Sequence, residues 1–538
     1  MAAFGKSILK SSSGLMIATM LSRVLGLFRV VLEAGILGGG ALAGAWQMAF
    51  MVPNLFRRLL GEGALGAAMV PMVSHSLVRD GKEQARQMLT VVMIVSGLVL
   101  AVLCILVAGA SLLAINFVER QDTQLMLRLI PLIIPYALFI CLVGVMSSAL
   151  NSLKVFFLPA LGALSFNVVL IAALLYLASV PWGKSLSDAA NGEGDFRMLA
   201  FLGYAVLLSG VLQFMLTLGL LYFNGMGIEL SRSLFRRYDV LKELWVLTLP
   251  GLIGAAALQV SFIVDRLLAF SLGAYAVPAL NYPDRLIFLP ISVFALSLGM
   301  VVLPDMSREA ARGNMEKLVE TMFFGLRNLL FLCIPVAVFM LLFRVELLKV
   351  IYMRGRFDEQ ALQECAWSML FYSMGIPFFS SIKIVVAGFQ SRKDMKTPMK
   401  VSLLCIAVNI ILNIILMYPL RQGGIVLATV ISSILNNLLL LLILRRTLTQ
   451  SLPLGGLLVT AFKYLALSVV LGSGAVLWYP YFYGIIELPS RFPVDLVPLA
   501  ICGTAFVMVY FVVSKLSGSE EAAGIMELVT RRKINKGD

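Results

Sequence analysis

The sequence predicts an all-α polytopic membrane protein with about fourteen transmembrane helices. Of its 538 residues, 60% are hydrophobic and only 13% are charged, which is too apolar for a water-soluble protein. The hydrophobic residues fall into runs that are long enough to span a bilayer as helices. These runs lie near residues 14–38, 43–71, 88–117, 127–150, 157–180, 198–224, 244–272, 276–304, 320–343, 363–389, 398–419, 423–444, 458–479 and 494–514.

Basic residues are concentrated in alternate loops, and therefore on one side of the predicted membrane. Counted from a cytoplasmic amino terminus, the even-numbered loops carry clusters of Lys and Arg, as at Arg445 and Arg446. By the positive-inside rule, both termini are then cytoplasmic. The opposite-side loop 344–361 is an exception, because Arg354 and Arg356 are among its basic residues. The Lys and Arg residues behind the net charge of +14 cluster in these alternate loops. The positive charge therefore indicates the orientation of the chain in the membrane and not a nucleic-acid partner.

A weak internal repeat relates the first six runs to the next six. Arg29 pairs with Arg266, and Pro53 pairs with Pro290 at the same spacing. Because six is an even number, the two halves would share one membrane orientation, as in transporters built from parallel repeats. We therefore predict two six-helix lobes in a parallel pseudo-repeat, two C-terminal helices and a cytoplasmic tail. Their bounds are 1–224, 225–447, 448–515 and 516–538.

The first predicted span carries charges inside its apolar run. Ser22, Arg29 and Glu33 fall on one helical stripe. A buried arginine costs roughly 2.5 to 3.5 kcal/mol on insertion scales, so its presence indicates a polar pathway. Arg23 lies about a quarter-turn away from the stripe. The alternative is that the arginines extend to the membrane interface, which suits Arg23 better because it lies nearer to the cytoplasmic end.

Adjacent or closely spaced charges also occur in the second, seventh and eighth spans. These are Arg57, Arg58 and Glu62 in the second span, Asp265 and Arg266 in the seventh, and Asp284 and Arg285 in the eighth. Arg58 and Glu62 are four residues apart and would pair, either within a cavity or in a hinge that only joins two helices. Two interpretations of these charges remain: salt bridges that form and break during a transport cycle, and permanent structural salt bridges. With the first span, six arginines face four carboxylates, which favours an anionic substrate such as a pyrophosphate group.

No catalytic pattern accompanies these charges. The sequence contains no P-loop, no H-E-x-x-H, no G-x-S-x-G and no zinc spacing. A membrane glycosyltransferase would need carboxylates placed for acid and base catalysis, and we find no such cluster. We therefore predict a transporter with no metal or cofactor. The scattered cysteines are predicted to be core residues, and they are Cys104, Cys141, Cys333, Cys365, Cys405 and Cys502.

Several short motifs are specific in combination. They are Ser22-Arg23-Val24-Leu25-Gly26, Val52-Pro53-Asn54-Leu55-Phe56-Arg57-Arg58, Asp284-Arg285-Leu286 and Ser391-Arg392-Lys393-Asp394-Met395-Lys396-Thr397-Pro398. With them, essentially residues 10 to 515 resemble the MurJ/MviN-type lipid II flippases of the multidrug/oligosaccharidyl-lipid/polysaccharide exporter superfamily. Members often have acidic residues where this chain has Val30 and Gly44. Glu33, one turn past Arg29, would take the place of the first.

The resemblance implies a cationic cavity with alternating access. It would move lipid II, an undecaprenyl-pyrophosphate-linked disaccharide-pentapeptide, from the cytoplasmic to the periplasmic leaflet for peptidoglycan synthesis. Arg23, Arg29, Arg57 and Arg285 would bind the substrate, the pyrophosphate above all. A gating or charge network would consist of Ser22, Glu33, Asn54, Arg58, Glu62, Asp284 and Arg266.

The resemblance also implies an energy source and partners. Asp265 and Asp394 are candidates for coupling transport to a monovalent cation or to the membrane potential. The partners would be lipid II, membrane lipids and peptidoglycan synthesis proteins, at a bacterial inner membrane. The alternative is a cation-coupled drug exporter, or an exporter of another lipid-linked oligosaccharide, in the same superfamily. A cationic drug would prefer an acidic cavity, and the surplus of arginine argues against it.

Overall fold

The computed structural model describes residues 21–155, 157–179, 193–229, 238–448, 450, 452–485 and 496–524. In these ranges every regular element is a helix, which confirms the predicted all-α class. Helices are expected because backbone groups inside a bilayer must pair within their own segment. Over the same ranges, nine helices are long and apolar enough to cross a membrane.

The helices of the first half contain two interruptions. Their bounds are α1 (21–37), α2 (Ala41–Phe56), α3 (Leu65–Arg79), α4 (Lys82–Ile115), α5 (Gln121–Ile133), α6 (Pro135–Ser152), α7 (Phe157–Ser179) and α8 (Glu193–Phe223). The π-helical segment Arg57–Ala64 joins α2 to α3. The predicted fourth run is divided into α5 and α6, because Pro135 has no N–H with which to continue the helix. Helix α6 packs against α3, α8 and the π-helical segment.

The helices of the second half include a short one that the hydrophobic runs did not predict. Their bounds are α9 (Tyr238–Leu272), α10 (Ala276–Ala311), α11 (Met315–Leu342), α12 (Arg344–Tyr352), α13 (Glu359–Ser391), α14 (Lys396–Leu420), α15 (Gln422–Thr447), α16 (Leu454–Ile485), α17 (Leu496–Leu516) and α18 (520–524). The short helix is α12, with nine residues. Asp358 starts α13, where its side chain accepts a hydrogen bond from the Ala361 N–H at 2.8 Å.

The chain forms two compact units. The first comprises Met1–Arg266, Gly273–Val277 and Arg354–Phe357, and the second comprises Leu267–Leu272, Pro278–Met353 and Asp358–Asp538. The predicted lobes 1–224 and 225–447 follow the sequence repeat, whereas the compact units divide the chain inside α9. The lobes and their repeat stay a prediction. Both C-terminal helices, α16 and α17, belong to the second unit.

Apolar side chains fill the interior of each unit. In the first unit, one continuous cluster includes Trp46 and Tyr136, which are 2% and 4% exposed. In the second, smaller clusters surround Phe331 and Phe343 where α11, α16 and α17 pack together. All six cysteines are buried and free, which confirms their predicted place in the core.

The segment Arg354–Phe357 packs within the first unit against the end of α1. The backbone N–H of Arg356 donates to the Gly35 carbonyl at 2.8 Å. A guanidinium nitrogen of Arg356 lies 3.5 Å from a carboxylate oxygen of Asp195. At least one arginine that departs from the positive-inside pattern therefore has a local structural partner, which accounts for part of the exception in loop 344–361.

Candidate functional site

Arg29 lies in α1 among compensating groups. Its Nη1 pairs with Glu33 Oε1 at 2.5 Å, one turn along the helix. Its Nε donates to Oδ1 of Asn167 on α7 at 3.2 Å. The central guanidinium carbon lies 5.2 Å from the centroid of the Phe166 ring, a cation–π distance. Arg29 and Glu33 are 8% and 6% exposed, so the charge is balanced inside the protein.

The predicted polar stripe of α1 faces α7. Nδ2 of Asn167 donates to the backbone carbonyl of Ser22 at 3.3 Å. A Cβ added at Gly26 would lie 3.9 Å from Asn167 Oδ1, so this part of α1 is also close to the amide. Asn167 thus contacts α1 at positions two turns apart. Arg23, outside the stripe, is half-buried.

Packed aromatic rings hold Phe166 in place beside Arg29. Phe166 packs against Phe50 and Tyr136, with both pairs of ring centroids 5.7 Å apart. Sequence reasoning missed Phe166 and Asn167, because one polar residue in the apolar run of α7 forms no spacing pattern. The only available signal was that asparagine is costly in a membrane helix without a partner.

The π-helical segment carries a second group of arginines. Nε and Nη2 of Arg57 donate to the side-chain oxygen of Asn54 at 3.0 and 2.9 Å. Arg58 donates to Gln259 on α9 at 3.3 Å. Phe262, also on α9, lies 5.0 Å from the Arg58 guanidinium and 4.8 Å from that of Arg266. The predicted pairing of Arg58 with Glu62 concerns a side chain outside the described part of the chain.

Glycines explain the irregular helix at this point. Gly63 has non-helical backbone angles, φ −85° and ψ −110°. On α6, a Cβ added at Gly144 would lie only 2.3 Å from the Gly61 carbonyl oxygen. The two backbones therefore approach as closely as glycine allows. A π-helical interruption is frequent at functional sites, and here it sets the directions of Arg57 and Arg58.

Asp284 and Arg285 lie on α10 in the second unit. Asp284 is half-buried and Arg285 is exposed. Just before them, the Tyr282 carbonyl accepts a hydrogen bond from the Tyr352 hydroxyl at 3.1 Å. The two tyrosine rings are also in contact, with centroids 5.1 Å apart. Helix α12 thus holds α10 next to the Asp-Arg pair, and the roles of the pair in binding and gating stay predictions.

The two coupling candidates differ in their settings. Asp265 is half-buried on α9. Asp394 precedes α14, and its Oδ1 accepts a hydrogen bond from the Thr397 N–H at 3.0 Å. Hydrogen bonds from the Thr397 side chain and backbone lower the pKa of Asp394. Asp394 therefore has a local role at the start of a helix, and a role in cation coupling stays a prediction for both residues.

Sequence reasoning missed a buried polar cluster of two amides on α14 and one hydroxyl on α15. Asn409 Nδ2 donates to Thr429 Oγ1 at 3.3 Å, and Asn413 Nδ2 donates to Asn409 Oδ1 at 3.2 Å. Asn409 and Asn413 are 3% and 0% exposed. Their four-residue spacing in an apolar run was a usable signal, since it places both on one helix face. The described residues contain no group of three or more His, Cys, Asp or Glu that could hold a metal ion.

The second unit also has an apolar cavity of about 700 Å³ between α11, α13, α15 and α16, which is open on the side where Leu458 and Phe462 are exposed. Its lining is hydrocarbon apart from Ser373, Ser381 and Asn437. The Ser381 hydroxyl donates to Asn437 Oδ1 at 3.2 Å, and the Ser373 hydroxyl donates to the Met369 carbonyl at 2.7 Å. Because these polar groups have partners, the cavity suits a hydrocarbon chain.

Known proteins share this sequence pattern and fold. A family model described as Lipid II flippase MurJ matches residues 33–486. A probable lipid II flippase MurJ from Rhizobium tropici is 31% identical over 428 residues, which are 78% of this chain and 77% of that protein.

Solved structures agree on the fold. The structure of a lipid II flippase MurJ in an inward closed conformation has a TM-score of 0.72 and 22% identity, with 93% of this chain and 98% of that chain covered. An inward-facing multidrug resistance MATE family transporter of the MOP superfamily has a TM-score of 0.60 and 14% identity, with 80% and 97% covered. At these identities, the structural matches support the architecture alone.

Proposed function

We propose, since this chain belongs to the lipid II flippase MurJ family, that it moves lipid II across a bacterial inner membrane. The direction is from the cytoplasmic to the periplasmic leaflet, by alternating access. The protein acts as a transporter and catalyses no covalent reaction. Both termini are cytoplasmic in this proposal, which the alternation of basic loops supports.

The observation that carries the proposal is the buried guanidinium of Arg29 in α1. Nε and Nη1 are bonded to Asn167 and Glu33. Among the residues that the structure describes, none hydrogen-bonds to Nη2. The two N–H groups of Nη2 suit a phosphate oxygen, because charge-assisted hydrogen bonds from arginine to phosphate are strong. Arg23 and Arg57 would add positive charge near the pyrophosphate, and Arg285 is the substrate-binding candidate of the second unit.

The apolar cavity supports the lipid part of the substrate. A polyprenyl chain carries no hydrogen-bonding group, so an apolar cavity whose few polar groups are already paired can hold it without leaving any polar group unpaired. The cavity of about 700 Å³ would take part of such a chain against α16. Helix α16 would then contribute to substrate binding in addition to packing on α11.

Coupling to the membrane potential or to a monovalent cation completes the proposal. Asp265 is the better candidate of the two carboxylates, because it lies within the long helix α9. Asp394 is hydrogen-bonded at the start of α14. Transport of lipid II into vesicles with and without an imposed potential tests this part.

The binding proposal is tested with purified protein in liposomes that contain lipid II. We expect Arg29→Ala and Arg285→Ala each to reduce flipping at least tenfold, since a hydrogen bond to a charged group contributes about 1.5 to 3 kcal/mol. Arg312→Ala is the matched control, because Arg312 is exposed and pairs with Glu309 at the C-terminal end of α10. Flipping retained in both alanine variants would refute the role of the arginines.

Two further measurements keep this test decisive. Removing Arg29 alone leaves Glu33 buried without its partner, which destabilises proteins. The double variant Arg29→Ala/Glu33→Gln removes both charges and separates folding from binding. Drug resistance on overexpression, with no lipid II flipping by the wild type, would instead support the exporter alternative.

A further inference from the structure

Asn167 connects two turns of α1 through one side chain. It is 7% exposed, its Oδ1 accepts from Arg29 Nε at 3.2 Å, and its Nδ2 donates to the Ser22 carbonyl at 3.3 Å. A guanidinium has only donors, so the amide oxygen must face Arg29 and the amide nitrogen must face the carbonyl. Both ends of the amide are thus used, and its orientation is fixed.

The Arg29 guanidinium is held on three sides. Asn167 occupies Nε, Glu33 occupies Nη1, and the Phe166 ring lies against the flat face. The ring cannot move freely, because Phe50 and Tyr136 pack on it. Within the described residues, Nη2 is the nitrogen that takes part in no hydrogen bond.

We infer that Asn167 is the positioning residue that directs Nη2 of Arg29 toward the phosphate oxygens of the substrate. This inference rests on the proposed function. The amide holds Nε without adding charge, so the Arg29–Glu33 pair stays neutral overall. A carboxylate at this position would give the group a net negative charge, and like charges at short range repel strongly where water is excluded. The neutrality of Asn167 is therefore as important as its hydrogen bond.

If Asn167 positions Arg29, its aspartate variant should impair lipid II binding more than its leucine variant does. A purely structural role for Asn167 predicts the opposite order. The variant Asn167→Leu loses both hydrogen bonds at similar volume, and we expect the KM for lipid II to rise about tenfold with a smaller change in kcat. The variant Asn167→Asp keeps an acceptor for Nε, yet we expect a larger rise in KM because it repels phosphate. If Asn167 only stabilised the fold, the aspartate variant would be the better of the two.

The experiment measures flipping rates in liposomes over a range of lipid II concentrations. The control is Asn328→Leu, because Asn328 is similarly buried at 9% exposure and its Nδ2 donates within its own helix, to Phe324. Should Asn167→Leu fail to fold, Asn167→Ser supplies the neutral acceptor for comparison with Asn167→Asp. An aspartate variant with a KM equal to or below that of the neutral variant would overturn the inference.

Measuring Arg29→Ala in the same flipping assay separates this inference from the proposed function. If Arg29→Ala flips lipid II with the wild-type KM and rate, the proposed role of Arg29 fails and Asn167 has nothing to position. If Arg29→Ala raises the KM or loses flipping while both Asn167 variants keep the wild-type KM, only the inference about Asn167 fails.

Discussion

Single glycines decide how closely backbone segments approach in this protein. Gly355 has φ of 58°, in the left-handed region that glycine tolerates and other residues avoid. A Cβ at this position would also lie 2.1 Å from the Gly35 carbonyl oxygen. The segment Arg354–Phe357 can therefore reach the end of α1 only with glycine at residue 355.

The first prediction concerns this contact. We expect Gly355→Ala to lower the free energy of unfolding by more than the roughly 1–2 kcal/mol that a left-handed backbone costs, because the clash adds to it. Gly313→Ala is the control, since Gly313 has φ of 75° and open space around it. Thermal unfolding in detergent measures both variants, and equal losses would contradict the steric argument.

At the residue scale, the sequence predicted the part of the Arg29 site that lies on α1. Helical spacing placed Ser22, Arg29 and Glu33 on one stripe, and the structure pairs Arg29 with Glu33. The sequence could not show that Asn167 and Phe166 complete the site. These two residues lie far from Arg29 along the chain, and only tertiary packing brings them next to it. The same limit applies to Gln259, which binds Arg58 from α9.

At the element scale, the helix that follows α2 is interrupted where charges and glycines coincide. The π-helical segment Arg57–Ala64 rests on α6 through the contact of Gly61 with Gly144. Pro53 and the glycines of this segment favour bending or close backbone packing. Their partner could not be predicted, since Gly144 lies in a separate apolar run.

The second prediction follows from that contact. We expect Gly144→Ala to push the π-helical segment away, lowering the melting temperature and reducing flipping, because its Cβ would meet the Gly61 backbone at 2.3 Å. Gly109→Ala on α4 has nothing within 4 Å, so it should be neutral or stabilise by up to about 1 kcal/mol. A Gly144→Ala protein with wild-type stability and flipping would contradict the role of this contact.

Another element-scale feature is the attachment of α18 to the helices beside it. The Glu521 carboxylate, 4% exposed, accepts from Arg327 Nε on α11 at 2.6 Å. It also accepts from the Tyr464 hydroxyl on α16 and from Ser519. Burial raises the pKa of Glu521, but the hydrogen bonds from Tyr464, Ser519 and Arg327 outweigh it and leave the pKa below its usual value.

The third prediction uses the neighbouring carboxylate as its control. We expect Glu521→Gln to cost about 1–3 kcal/mol at neutral pH, whereas Glu520→Gln should cost at most about 1 kcal/mol, since Glu520 is 81% exposed. Melting temperatures in detergent measure both. Equal effects of the two changes would refute a special role for the buried carboxylate.

The lowered pKa of Glu521 gives this attachment a pH dependence. Its stabilising contribution is present above the pKa of the unfolded chain and is lost as pH falls through the lower folded value. The difference in stability between wild type and Glu521→Gln should therefore shrink on acidification. A difference that is constant down to the most acidic pH at which the protein stays soluble would contradict this account.

At the scale of the whole molecule, hydrophobicity predicted the architecture well. Each predicted run coincides with a helix or with two consecutive helices over the described residues. The division inside α9 and the placement of Arg354–Phe357 in the first unit were not predictable, because they depend on contacts between distant segments. Family membership supplies what neither hydropathy nor geometry specifies, which is the kind of lipid that is moved.

The measurement that tests the central claim most directly is the exposure of lipid II in living cells. The native cell is depleted of this protein, and a membrane-impermeant probe or a lipid II-cleaving toxin then reports lipid II on the outer face. We predict that accumulated lipid II becomes protected from the probe and that exposure returns when the wild-type protein is restored. Unchanged accessibility after depletion would contradict the claim that this chain carries out the flipping step.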